Sequence, residues 1–383
     1  MRPLETVVNL AALATTALGC RSGTPPHAQE TAAPVVEASP AEPARPEAVA
    51  SPPAPEPAFG PPLRVTGEGH AMGTHLAYAA FTTPKLDELH IRALFEAATA
   101  EIVRLERLMT TWDPTSEVSH VNEAAGREPV AVSPDTFDVI REAIHASEIS
   151  EGTFDITFEV LHGLWKFDQD LDPHPPTPQE VHDKLRYLGY RHVKLDPDKR
   201  TVFLDESHVR INLGGIAKGF AVDKAAAVLA AGGLPSFYVQ AGGDLYAKGT
   251  KPGDVPWNAG VRDPRGPEGD YFATMQVSDH AFSTAGDYER TYVIGNRRYH
   301  HIIDPRTGYP ATASRSVTIW APTALVADEV DDAVFILGPV KGLALVESLD
   351  GVGAVIVDAK NHVWISKRLA GKVQSVHPPT DAL

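Results

Sequence analysis

The chain has 383 residues, 43% hydrophobic and 22% charged, with 50 acidic against 34 basic side chains and a formal net charge of −16 at pH 7. That length buries a sizeable core in one large or two ordinary domains, and the composition is that of a soluble globular protein rather than a membrane bundle. The charge excludes nucleic acid as a partner, because binding a polyanion needs Lys and Arg to displace counterions; an anionic ligand must be held by a local positive site or a metal.

The chain opens with Arg2 and an apolar stretch from Val7 to Leu18 that ends in Ala17-Leu18-Gly19-Cys20. A segment this short, closed by a small residue, reads as a signal peptide over 1–20. Cys20, the single cysteine, excludes an internal disulfide. Directly after the cut it resembles the acylated residue of a bacterial lipoprotein signal, although Leu stands two residues before it rather than three. An ordinary secretory signal with an incidental Cys is the alternative. Residues 21–62 are rich in Pro, Ala and Glu with almost no aromatics, so they cannot bury enough surface to offset ordering and read as a disordered tether.

The folded region is expected over 63–376, with a short tail over 377–383. Apolar residues at helical spacing (Leu94, Ala98, Ile102, Leu105, Leu108) predict a long amphipathic helix over Leu89–Met109. Ser133 and Pro134 open a second helix to Glu148 as N-cap and first residue. Val209–Leu213 is a strand candidate, followed by a Gly turn and a helix over Phe220–Ala231. Ser236–Gln240, Ser316–Trp320 and Gly353–Val357 read as strands, and Ala324–Leu337 as a helix. Helices and strands are interspersed without a strict βαβ rhythm, which predicts an α+β fold.

Three segments could carry chemistry. Leu213-Gly214-Gly215-Ile216-Ala217-Lys218-Gly219 lies between a strand candidate and a helix. Its glycines admit close approach, its helix N-terminus offers N–H groups to an anion, and Lys218 adds a charge; a tight turn with a surface lysine would look the same. Within Asp328-Glu329-Val330-Asp331-Asp332, the acids at i, i+3 and i+4 share one helix face. The apolar run that follows turns this end inward, where hard oxygen ligands favour Mg²⁺ or Ca²⁺; a solvated acidic surface is the commoner fate of such clusters. His300-His301-Ile302-Ile303-Asp304-Pro305-Arg306-Thr307-Gly308 offers a proton acceptor ahead of a fixed turn, though a histidine is more often structural than catalytic.

Together these segments resemble, in order, the FAD:protein FMN transferase (ApbE) family of periplasmic lipoproteins. The matching pieces are Met72-Gly73-Thr74, Thr111-Trp112-Asp113-Pro114-Thr115-Ser116-Glu117, Gly152-Thr153-Phe154-Asp155-Ile156-Thr157 and Leu213–Gly219. They continue with Gly242-Gly243-Asp244, Ser283–Arg290, His301–Gly308 and the acidic helix. The resemblance implies a single T-fold-related domain. It also implies Mg²⁺-dependent transfer of FMN from FAD to a Ser or Thr hydroxyl of an extracytoplasmic acceptor flavoprotein, with release of AMP. By resemblance Met72, Trp112, Thr153, Phe154, Asp155, Asn212, Lys218, Asp244 and Ile302 fall at FAD-holding positions. The Gly215 carbonyl with Asp328, Asp331 and Asp332 would hold the metal, and His301 would take the proton of the attacking hydroxyl. The family's usual Thr is Asp332 here and its usual Asp is Asn212, a pair of changes expected to compensate in charge. FAD pyrophosphatase activity and non-catalytic flavin binding are the alternatives. The implied location is the bacterial cell envelope, with Cys20 tethering the domain to the membrane facing the periplasm.

Overall fold

The computed structural model describes residues 60–167 and 171–382. The expected signal, Cys20 and all but the last three residues of the expected tether lie outside the described residues. Among the described residues, no helix is long and apolar enough to cross a membrane.

Eight strands form one antiparallel sheet: β1 (Arg64–Ala71), β2 (Thr74–Phe81), β3 (Phe237–Ala241), β4 (Asp244–Lys248), β5 (His280–Gly286), β6 (Ser314–Ala321), β7 (Gly353–Asp358) and β8 (Val363–Ile365). They lie side by side in chain order. Four helices matter for the site: α1 (Glu88–Met109), α2 (Pro134–Ile149), α3 (Ala217–Ala231) and α4 (Ala324–Ser348). The architecture is α+β, as expected.

Strand periodicity assigns each face. In β7 all six residues are buried; Ala354 and Ile356 join the core under the helices, while Val355 and Val357 join a second core on the opposite face. That second core is covered by a hairpin of Trp257–Arg262 and Tyr271–Val277, which Val373–Ser375 extends. On the first face α1 buries Ile91, Phe95, Ala98, Ile102, Leu105 and Met109, a spacing of alternating fours and threes that keeps one stripe inward. Asp87 caps it through His90 N–H at 2.9 Å. Helix α2 begins as expected, with Ser133 as N-cap and Pro134 following.

Helix α3 is apolar on nearly every side and packs between α1, α4 and the sheet. Its contact with α4 requires Gly219, since a Cβ there would lie 2.3 Å from the Ala324 carbonyl oxygen. The two helices also cap each other. The N-cap of α3 is Ile216, which has no acceptor, and Gly219 N–H donates instead to Asp328 Oδ2 of α4 at 2.8 Å. In return Asp223 of α3 accepts from Ala324 N–H and Leu325 N–H at 2.8 and 2.9 Å. This lock fixes the acidic face of α4 over the glycine loop.

Three expectations are corrected. Val209–Leu213 is extended but pairs with no strand: the side chain of Asn122 takes both the N–H and the carbonyl of Ile211, and Asn212 N–H goes to the Ile156 carbonyl. Helix α3 starts at Ala217, three residues before the expected Phe220. Helix α4 breaks at Gly338 (φ 71°) and Pro339, near the expected end at Leu337, but then resumes to Ser348.

Candidate active site

The acidic face of α4 points inward: Asp328, Glu329 and Asp331 are buried, which removes the solvated-surface reading. Lys218 reaches in from the first turn of α3, its Nζ 2.7 Å from Asp244 Oδ2 and 3.1 Å from Asp328 Oδ1. Ser283, on β5, stands on the other side of Asp244. Its Oγ lies 2.6 Å from Asp244 Oδ1 and 2.5 Å from Asp331 Oδ2. Asp332 sits over the glycine loop, where a Cβ on Gly215 would come within 3.2 Å of Asp332 Oδ2 and 3.3 Å of the Phe154 ring. A side chain at Gly215 would thus need Asp332 and Phe154 to give way by a few tenths of an ångström.

These bonds show how Lys218 and Asp328 are held. Lys218 does not present a free charge to an anion, because two buried carboxylates already engage it. Asp328 accepts one hydrogen bond on each oxygen, from Lys218 Nζ and from Gly219 N–H. Among the described residues Asp328, Asp331 and Asp332 bring no set of ligand atoms within 4.8 Å of one another. Asp332 is the carboxylate at the glycine loop, and Asp331 faces Ser283.

Burial pushes the carboxyls of Asp331, Asp328 and Asp332 upward, and neighbouring carboxylates push Asp331 further. Lys218 pairs with Asp244 and Asp328, and Asp331 and Asp332 lie nearby, so ionisation of all four carboxyls leaves net negative charge in a dry place. An all-oxygen donor set with that imbalance fits a hard divalent cation.

The mouth of the glycine loop is a chain of polar contacts. Asn212 accepts from Gly214 N–H at 2.8 Å and donates to Glu159 Oε2 at 2.8 Å. Glu159 Oε1 lies 3.5 Å from His162 Nδ1, and the His162 ring meets Trp112 edge-on at 6.0 Å. Trp112 is 78% exposed, an apolar plate at the lip. Burial raises the Glu159 carboxyl, which the Asn212 amide partly offsets. Asn212 therefore answers Glu159, and the structure gives no contact that couples it to Asp332.

Thr153 and Asp155 are spent on the fold. Thr153 Oγ1 donates to the Ser150 carbonyl at 2.8 Å, and Asp155 accepts from Thr157 N–H, Thr157 Oγ1 and Tyr190 N–H. Met72 and Gly73 form the two-residue turn between β1 and β2, both at positive φ (52° and 68°). Met72 N–H donates to Glu106 Oε1 at 2.7 Å, and a recess of about 370 Å³ opens beside the turn, lined by His70, Gly73, Thr74, His75 and Glu106. Thr74 packs over Gly242, leading to Asp244 at the start of β4.

The two adjacent histidines have opposite fates. His300 is buried and satisfied: its Nε2–H donates to the Ala311 carbonyl at 2.8 Å and its Nδ1 accepts from Ile302 N–H. His301 has a buried Nδ1 with no partner. Burial pushes its imidazole down to about 3, helped by the positive charges of Arg290 and Lys218 and by His300. It is a neutral base at ordinary pH. The Ile302 carbonyl, expected at the flavin, accepts from Ala311 N–H at 3.0 Å.

Sequence reasoning did not assign Ser283, Glu159 or Asp223. Each carried a signal: a hydroxyl at an inward strand position, an acid in an otherwise apolar 3₁₀ turn, and an acid inside an apolar helix. A separate group, Asp263, Asp270 and His377, also brings ligand atoms within 4.8 Å. There Asp263 is occupied by Arg265 N–H and by the N–H and hydroxyl of Thr380, so it anchors the C-terminal segment.

Residues 72–356 match the profile of the ApbE family. The chain belongs to the ApbE family. Similar proteins include the FAD:protein FMN transferase of Treponema pallidum (strain Nichols), 32% identical over 317 residues, covering 79% of this chain and 87% of that protein. The FAD:protein FMN transferase of Haemophilus influenzae is 31% identical over 291 residues, 73% of this chain and 82% of the other. Among solved structures, the ApbE protein of Thermotoga maritima superposes with a TM-score of 0.74 at 31% identity, covering 81% of this chain and 99% of that one. The flavin transferase ApbE from Vibrio cholerae gives 0.71 at 27%, covering 82% and 100%. The ApbE match takes in the Met72 turn, the glycine loop, His301 and the acidic face of α4.

Proposed function

We propose that this ApbE-family chain transfers FMN from FAD to a Ser or Thr hydroxyl of an acceptor flavoprotein, with Mg²⁺ held by the Gly215 carbonyl and the carboxyls of Asp328, Asp331 and Asp332. The observation that carries the reading is the pairing of a neutral His301, whose Nδ1 has no partner, with a buried, charge-unbalanced oxygen cluster. In the reaction the acceptor oxygen attacks the FMN phosphorus. A new P–O bond forms, the pyrophosphate P–O bond breaks, and AMP leaves with the bridging oxygen. The hydroxyl proton passes to the His301 imidazole, which burial holds neutral and which the negative charge of a bound pyrophosphate would make more basic than burial alone does. Bound Mg²⁺ would neutralise charge on the pyrophosphate. Lys218 supports this indirectly, by holding Asp244 and Asp328 in place. Trp112 and Phe154 offer surfaces for the flavin or adenine rings.

The proposal includes export and tethering through Cys20, which rests on residues 1–62 of the sequence. Replacing Cys20 by Ser in the full chain should move the protein from the membrane to the soluble extract; retention in the membrane would contradict lipidation. The activity is tested by incubating residues 63–383 with FAD, Mg²⁺ and an acceptor flavoprotein domain, following covalent flavin fluorescence and AMP. Labelling that chelator abolishes supports the transfer. AMP with free FMN and no labelling would make the protein a pyrophosphatase instead.

A further inference from the structure

We propose that the hairpin of Thr291–Ile294 and Arg297–His300 docks the acceptor flavoprotein, its exposed tip of Val293 and Ile294 seating in an apolar groove beside the acceptor's Ser or Thr. The inference rests on the reading above that an acceptor hydroxyl is delivered to His301, and goes beyond it by assigning the surface that recognises the acceptor.

The two strands form a sheet of their own, paired with no other strand among the described residues. A hairpin by itself is marginal unless it packs on something, and one face of this one does. Tyr292 and Tyr299 stack on each other at 5.3 Å, Tyr292 on Phe167 at 5.3 Å and Tyr299 on Trp165 at 5.9 Å. Trp165 is held in turn by its Nε1–H, which donates to the Gly308 carbonyl at 2.8 Å, and its backbone bridge to His162 joins the stack to the Trp112 lip. At the foot, His301 N–H donates to the Arg290 carbonyl at 3.2 Å, so the hairpin is continuous with the proton acceptor. The stack covers the part nearest the foot and leaves the tip bare. Val293 is 47% and Ile294 42% exposed, beside a turn where polar residues are the rule. As neighbours on a strand they point to opposite faces, so the tip is apolar on both sides and suits a groove rather than a flat surface. A rise of about 3.4 Å per residue puts the tip about 10 Å from the foot. A folded acceptor about 30 Å across that brings its hydroxyl to His301 is wide enough to meet the tip at the same time.

The test is steady-state transfer by the full chain to a flavoprotein domain, with FAD saturating, alongside FAD affinity and thermal melting. Val293→Asp combined with Ile294→Asp should raise KM for the acceptor domain about 10-fold or more, because two apolar side chains that are buried on docking become charged. FAD affinity, melting and kcat at saturating acceptor should stay close to wild type. Val293→Ala combined with Ile294→Ala should raise the same KM by less. Leu89→Asp, equally exposed but at the far end of α1 from Trp112, should leave it unchanged. A wild-type KM for the acceptor in the double Asp variant, or a fall in kcat alone, would overturn the proposal while leaving the transferase reading intact. A wild-type protein that labels no acceptor would end that reading, and this inference with it.

Discussion

His301 and His300 are neighbours in sequence, and only their surroundings separate their roles. His300 has both ring nitrogens satisfied, whereas His301 is held neutral by burial and adjacent positive charge. Its folded pKa, about 3, lies below the ordinary 6.5. As pH falls below 6.5 the unfolded chain takes up a proton that the folded chain refuses, so this residue's contribution to stability is lost between those values. For catalysis the same shift removes any acid limb near pH 6.5 from His301. Any acid limb in the rate of AMP release should come from the raised carboxyls and persist in His301→Ala; an apparent pKa of about 6–7 that vanishes in that variant would show the imidazole is not held neutral. His301→Ala should lower the transfer rate by about 10²–10⁴-fold. Asn212 makes a second residue-scale prediction. Asn212→Asp would set a carboxylate 2.8 Å from Glu159 and should cost about 1–3 kcal/mol in denaturant unfolding, while Glu159→Gln in the same chain restores most of it. A cost that Glu159→Gln leaves unchanged would place the conflict elsewhere.

At the scale of elements, the α3–α4 pair decides where the site forms. Both helices were legible as apolar runs, although neither carries a single apolar stripe, because each is buried on nearly every side. The reciprocal caps were not legible, since Asp223 and Asp328 act on helices far from them in sequence. The i, i+3, i+4 spacing puts three acids on one face but cannot show that one of them, Asp328, also bonds Lys218 and Gly219 N–H. Val209–Leu213 was misread as a strand because Asn122 supplies the hydrogen bonds a neighbouring strand would have given. Gly219→Ala tests the close crossing. With a backbone oxygen 2.3 Å from the new Cβ, the helices must move apart, at a cost of about 3 kcal/mol in unfolding and with loss of Lys218 geometry and activity. Activity and stability equal to wild type would contradict a tight crossing. Asp223→Ala should cost about 1–2 kcal/mol by thermal or denaturant unfolding, the loss of a helix cap.

Across the whole molecule, a sheet that runs β1 to β8 in chain order brings distant motifs to one end. The β1–β2 turn carries Met72, the β3–β4 turn delivers Asp244, β5 delivers Ser283, and the segment after β5 delivers His301. The α+β class and most of these segments were legible as motifs. Their convergence was not, because hairpin order in a sheet is set by contacts between residues many positions apart. The central claim is that this convergence makes an FMN transferase. Intact mass spectrometry of an acceptor domain, incubated with FAD, Mg²⁺ and the wild-type protein, tests it most directly. The account predicts a gain equal to one FMN residue on a Ser or Thr, with AMP released in equal amount and neither seen with Asp331→Asn. An acceptor of unchanged mass, in a reaction where FAD is consumed, would contradict it.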